Sequence, residues 1–151
     1  MTQSEKQLLL KDLCARLPYK LHCRVFKLNG DIKENDDILY RVVGDNVMTL
    51  KSDKDECLMY YQIKPYLRPM SSMTEKERVE YRKAFDKDFA ILEDSIDAPI
   101  AYEYSDGMVV RDKPLFNEID WLNEKMFDYR GLIPMGLALE APEGMYNTKT
   151  E

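Results

Sequence analysis

Lys64, Tyr66 and Arg68 alternate along one extended segment, Lys64-Pro65-Tyr66-Leu67-Arg68-Pro69, and period-two alternation aims all three side chains the same way. Cations beside an exposed ring suit a nucleic-acid strand, because charge holds phosphates while the ring stacks on a base. If this segment pairs near the strand expected at 20–25, then Lys20, His22 and Arg24 extend the same patch. The competing expectation is edge-strand protection, with Tyr66 packed down and the cations guarding a sheet edge. A second candidate is the run from Phe127 to Met135, whose Tyr129 and Arg130 belong to types enriched at interaction hot spots. Against it stands a structural corner that packs Phe127, Tyr129 and Ile133 inward. Lys64, Tyr66, Arg68, Tyr129 and Arg130 are therefore the candidate contacts to a protein partner or a nucleic acid.

Catalytic and metal chemistry finds less support. His22 is the one histidine, a general base only if a carboxylate orients it; alternation sets it with Lys20 and Arg24 on an exposed strand face. Cys14, Cys23 and Cys57 lack C-x-x-C spacing and make no familiar zinc pattern, so all are expected to be small buried hydrophobes. Asp36-Asp37 and Asp53, Asp55 and Glu56 read as turn carboxylates that bond the local backbone. Asp94, Asp97, Glu103 and Asp106 are too scattered for a hard-cation cage and read as a solvated acidic loop. With six glycines in the chain, no phosphate-binding glycine loop and no nucleophile elbow can be found. No catalytic residue, metal or cofactor is expected.

The chain has 151 residues, 44% hydrophobic and 33% charged, enough to bury a core and too apolar for a disordered polymer. Its net charge of −6 is uneven: residues 1–75 hold 12 Lys/Arg against 11 Asp/Glu, and residues 76–151 hold 10 against 17. The acidic half argues against whole-surface DNA binding and leaves room for a local basic patch. The opening Met1-Thr2-Gln3-Ser4-Glu5-Lys6 lacks a signal-peptide h-region, and no apolar run spans a bilayer. Three cysteines, an odd number, fit a reducing compartment. A cytoplasmic setting without membrane association is expected.

Periodicity supplies the elements that must position these residues. Leu9, Leu13 and Leu17, with Leu10 and Cys14 beside them, predict a helix from Ser4 to Leu17, with Ser4 and Gln7 as its capping box and Pro18 as its stop. Strands are expected at 20–25, 38–43, 47–50 and 57–63, with the two prolines after Lys64 marking an edge or extended exit. Thr74 and Glu77 box the start of a second helix carrying Tyr81, Phe85 and Phe89. A strand pair is expected at 100–104 and 108–111 through Ser105-Asp106-Gly107. A third helix follows Asp112, with Leu115, Ile119, Leu122 and Met126 as its stripe and Gly131 as a possible C′ residue. Residues 136–141 are expected to add a helical turn and 143–151 to form a flexible tail.

Three stretches carry a resemblance: Leu8 to Tyr19, Ile63 to Thr74, and Asp120-Trp121-Leu122-Asn123 running into Phe127 to Ile133. They resemble a family of uncharacterised proteins found in gut Bacteroidales genomes and in their phages and prophages. The resemblance spans both ends of the chain and implies a bacterial, cytoplasmic, mobile-element setting. It brings no activity, cofactor or site residue.

These readings converge on one α+β domain over residues 1–151: an N-terminal helix, a small antiparallel sheet or SH3-like barrel, and two further helices. The leading function is a non-enzymatic binding or accessory protein acting through a protein or nucleic-acid contact. The alternative is an enzyme using His22 or a carboxylate pair assembled by the fold.

Overall fold

A computed structural model describes residues 1–26, 34–50, 58–85, 87–89, 100–104, 109–112 and 116–146. Helix α1 spans Gln3–Arg16 and starts earlier than expected, because Thr2 and Glu5, not Ser4 and Gln7, form its capping box. Thr2 N donates to Glu5 Oε2 at 2.7 Å and Glu5 N to Thr2 Oγ1 at 3.1 Å, satisfying two amides that the first turn leaves without partners. A 3₁₀ turn at Leu17–Tyr19 ends the helix, and Lys20 then takes a left-handed φ of 57°. A side chain is disfavoured there and Lys20 is exposed, so Lys20→Gly is expected to raise stability by about 0.5–1 kcal/mol. Thermal unfolding of the two proteins checks this.

Strands β1 (His22–Phe26), β2 (Glu34–Val43), β3 (Asn46–Thr49), β4 (Leu58–Met59), β5 (Ile63–Leu67) and β9 (Leu139–Glu140) form one sheet in the order β4-β3-β2-β1-β5-β9. Its neighbours are antiparallel except β5 and β9, which run parallel. The expected antiparallel sheet or barrel is thus corrected to an open mixed sheet, since β4 and β9 end it without pairing to each other. Gly44 turns β2 into β3 at φ +59°, the left-handed backbone that glycine adopts freely at the first central position of a tight hairpin.

The segment expected at an edge lies inside the sheet. Pro65 pairs with Cys23 on β1, while β9 reaches only Tyr66 and Leu67, so the missing proline amide removes no rung on the second side. Asp36 and Asp37, expected in a turn, sit in β2 opposite Arg24 and Cys23. The other acidic run, 53–56, and Cys57 lie outside the described residues.

Leu9 and Leu13 of α1 pack on one face of the sheet against Leu21, Cys23, Val25, Leu39, Val47, Ile63 and Leu67. Burying each leucine fully is worth roughly 1.5–3 kcal/mol. Cys14, expected on this stripe, is exposed, whereas Asp12 and Arg16 are fully buried on it. A second cluster joins helix α2 (Glu75–Phe85) to helix α3 (Phe116–Glu124) through Tyr81, Leu122, Phe127 and Tyr129. The Thr74–Glu77 box forms as expected. Helix α2 ends at Phe85, so Phe89 falls instead in strand β6 (Lys87–Phe89). That strand pairs with β7 (Ile100–Tyr104), which pairs with β8 (Val109–Asp112). The expected hairpin strands are there, while the turn at 105–107 and Leu115 lie outside the described residues.

Helix α3 closes differently from the expectation. Met126 N donates to Asn123 O and Phe127 N to Leu122 O, the paired bonds of a Schellman ending. The left-handed C′ position belongs to Met126 at φ 63°, not to Gly131. Residues 136–141 do not extend a helix; they turn and enter β9. Within the expected tail, Tyr146 is anchored to the sheet, and residues 147–151 lie outside the described residues.

Candidate functional site

Each residue nominated from the sequence has a definite place. Lys64 and Arg24 face each other across β5 and β1, as the conditional extension of the patch required. Both are partly exposed, and each cation sits over a ring: Lys64 Nζ 5.7 Å from the centroid of Phe26, Arg24 Cζ 5.6 Å from that of Tyr66. Tyr66, however, is buried, with its hydroxyl donating to Asp36 Oδ1 at 2.6 Å. Asp36 also pairs with Arg24 at 3.5 Å. Burial and the Asp36 carboxylate push the Tyr66 phenol up from its ordinary pKa, so it is no activated tyrosinate. The ring expected to stack on a base is roofed by a cation and tied to a carboxylate.

Arg68 leaves the patch altogether. It lies one residue past β5, where the chain forms a parallel bridge to Phe127. Its guanidinium grips Glu77 through two bonds of 2.8 and 2.7 Å, reaches Lys125 O and Ser72 O, and stacks 4.2 Å from the Phe127 centroid. Burial raises the Glu77 pKa, but bonds from Arg68 and the Thr74 amide outweigh it and hold the carboxyl below its ordinary value. This fork satisfies a buried pair and ties α2 to the end of α3.

Tyr129 and Arg130 likewise belong to a buried network rather than a flat exposed patch. Asp12 Oδ2 accepts from Arg16 Nε at 2.9 Å and Asp12 Oδ1 from Arg130 Nη1 at 2.6 Å. Arg16 Nη2 donates to Phe127 O at 2.7 Å, while Arg16 Nη1 has no hydrogen-bond acceptor among the described residues. Both arginines contact the Tyr129 ring, Arg16 Cζ at 5.4 Å and Arg130 Cζ at 4.6 Å from its centroid, and its hydroxyl donates to Asn123. Asp128 caps the following turn, accepting from Leu132 N and Ile133 N. The corner expected as the competing reading is what forms here.

The network also bears on catalysis. Asp12 and Asp128 are the carboxylate pair that the fold brings together, close enough for the charge of Asp12 to help raise the Asp128 pKa, although burial does most of that. Both oxygens of both groups are committed to arginines or backbone amides, and both residues are buried. His22 is half-buried, not exposed, and its ring meets the Tyr146 ring edge-on at 5.2 Å. Burial lowers its pKa against the opposing pull of Asp36. The Cys23 thiol is pushed up to about 12 by burial and by Asp37 and Asp36, so it stays protonated and unreactive at neutral pH. Among the described residues no three His, Cys, Asp or Glu side chains cluster for a metal ion. Asp94, Asp97 and Asp106 lie outside those residues. Among them, too, no helix is long and apolar enough to cross a membrane.

The feature that sequence reasoning missed is apolar. Tyr40, Val43 and Leu50 are 59%, 52% and 61% exposed. The β2–β3 register slips between Leu39 and Arg41, so Tyr40 and Arg41 together oppose Met48, and such a bulge re-aims the side chains it carries. Leu39, Val47 and Thr49 turn inward, which sends Leu50 and Met48 outward. Leu50 N bonds Ile38 O, and Ile38 pairs with His22, so the outward row continues across the sheet to β1. Ile38, Met48 and Leu50 keep the period of their strands and are apolar where a solvated face would be polar, whereas Val43 turns outward only through the bulge.

Comparison with models of protein families, with curated proteins and with solved structures finds no match to this chain.

Proposed function

We propose that this protein is a non-enzymatic binding module whose contact surface is the outward face of the β2–β3 hairpin, with a protein as its partner. One observation carries the reading: three large apolar side chains, Tyr40, Val43 and Leu50, stand in solvent on that hairpin, with Met48 and the exposed Arg41 between them. Contiguous exposed apolar surface marks interaction sites, and Tyr, Met and Arg are the types that interfaces enrich. Support for a protein over a nucleic acid comes from the cations. Arg16, Arg24, Arg68 and Arg130 each pair with a carboxylate of this chain, which leaves them poorly placed to neutralise phosphates. The reading keeps the cytoplasmic, bacterial and mobile-element setting that the resemblance implies.

The test compares the tagged protein with its Tyr40→Ser/Leu50→Ser variant in pull-downs from host lysate, each with and without nuclease. Exposed positions tolerate such changes within about 0.5 kcal/mol, so circular dichroism should match. A protein retained by the first and lost about tenfold or more by the variant, regardless of nuclease, is expected for a hot-spot contact. Equal retention by both overturns the surface. Nuclease-sensitive retention that survives this variant and falls in Lys64→Ala shifts the contact to the Arg24–Lys64 pair.

A further inference from the structure

The segment from Leu139 to Tyr146 crosses the seam between β1 and β5 and fastens it with one hydroxyl. Cys23 pairs with Pro65, which sets His22 opposite Tyr66 one rung further along. That rung is not closed directly on the His22 amide. His22 N donates to Tyr146 Oη at 3.1 Å, and Tyr146 Oη donates to Tyr66 O at 2.6 Å, with His22 O a second acceptor at 3.3 Å. The tyrosine hydroxyl therefore occupies the place of one ladder hydrogen bond. The strap that delivers it pairs two residues of β9 with β5, donates Ala141 N to Leu67 O, and seats the Tyr146 ring against the edge of the core. Pro142 to Gly144 then run exposed, with Gly144 at φ +82° and open space where a Cβ would stand.

We propose that Tyr146 is a removable latch on this seam, whose release lets the His22–Tyr66 rung of the β1–β5 ladder close directly. Two arrangements satisfy the same backbone groups, one with the hydroxyl between them and one with His22 N–H bonded directly to Tyr66 O. Neither orphans a buried donor or acceptor, so unlatching costs the contacts of the ring and strap alone, and two such packings define a bistable element. Withdrawal of the ring removes its edge-on contact with His22. The latch is independent of the proposed binding surface.

Native-state hydrogen exchange on the intact protein tests the latch without any partner. The Ala141 amide is expected to exchange through a local opening nearly independent of low urea, about 100-fold or more faster than the Cys23 amide in the middle of the sheet. In Tyr146→Ala, an NMR coupling across a hydrogen bond should appear between His22 N and the Tyr66 carbonyl carbon and be absent from the parent. If Ala141 and Cys23 exchange through one urea-dependent opening, the strap never releases alone and the latch is overturned. A folded Tyr146→Ala protein without the coupling overturns it equally. Both readouts are blind to the partner, so a failed pull-down and a failed latch are separate results.

Discussion

Asp12→Ala is expected to cost about 3–5 kcal/mol, because it leaves a fully buried guanidinium without its counter-charge. Arg16 is completely enclosed, and its neutralising partner is Asp12 at 2.9 Å. Arg130, which shares the same carboxylate at 2.6 Å with a side chain 13% exposed, can turn toward water; Arg16 cannot. The loss approaches the whole stability of many domains, typically about 5–15 kcal/mol, so the variant should populate unfolded chain near growth temperature. Urea titration followed by circular dichroism measures it. The double variant Asp12→Leu/Arg16→Met should recover most of the loss, since an apolar pair of similar volume needs no desolvation of charge. A loss below about 1 kcal/mol for the single variant would mean that water or another group reaches Arg16.

Glu77→Gln should have an effect of similar size, about 3 kcal/mol or more, by breaking the buried fork to Arg68. It also carries a pH signature. The folded Glu77 pKa lies below the ordinary 4.5. Its contribution is therefore complete above 4.5 and lost as pH falls through the folded value. The parent should lose stability in that acid window, and Glu77→Gln should show a flatter profile there. Asp128 works in the opposite sense, since burial raises its pKa and its contribution declines as pH rises through the ordinary carboxylate range. An unchanged acid slope in Glu77→Gln would assign the window to other carboxylates.

Several local signals were read correctly from the sequence, although the Ser4–Gln7 box gave way to Thr2–Glu5 and the C′ place of Gly131 to Met126; distant ones were not legible. The Thr74–Glu77 box, the Leu9–Leu13 stripe and the strands at 100–104 and 109–112 depend on neighbours within a few residues, and periodicity reports those. Arg68 shows the limit. Alternation grouped it with Lys64 and Tyr66, but just beyond β5 the chain takes Phe127 as its partner, and Glu77 is nine residues away. Tyr129 and Arg130 show the same limit, since their partners Arg16 and Asp12 lie on the first helix, far away in sequence. One clue was available: Leu9, Asp12, Leu13 and Arg16 share one helix face, and an oppositely charged pair inside an apolar stripe is a pair to be buried. The outward Ile38, Met48 and Leu50 were legible too, once the inward residues were fixed, but Val43 was not, because the bulge at Tyr40 reverses the faces beyond it.

The buried arginine of the first helix sets an order on how this chain comes to be folded. Its acceptor beyond Asp12 is the carbonyl of Phe127, 111 residues later, and β5 takes its second neighbour only from residues 139–140. During synthesis α1 can coil as soon as it leaves the ribosome, with Asp12 already beside Arg16, but the full enclosure of Arg16 comes later. The contacts that fix this end of α1 to the corner at 127–130 form only when that segment emerges. At about 5–20 residues per second that interval lasts on the order of ten seconds. Nonlocal closure of this kind slows folding, and it leaves the nascent chain, more than the finished protein, with apolar surface uncovered.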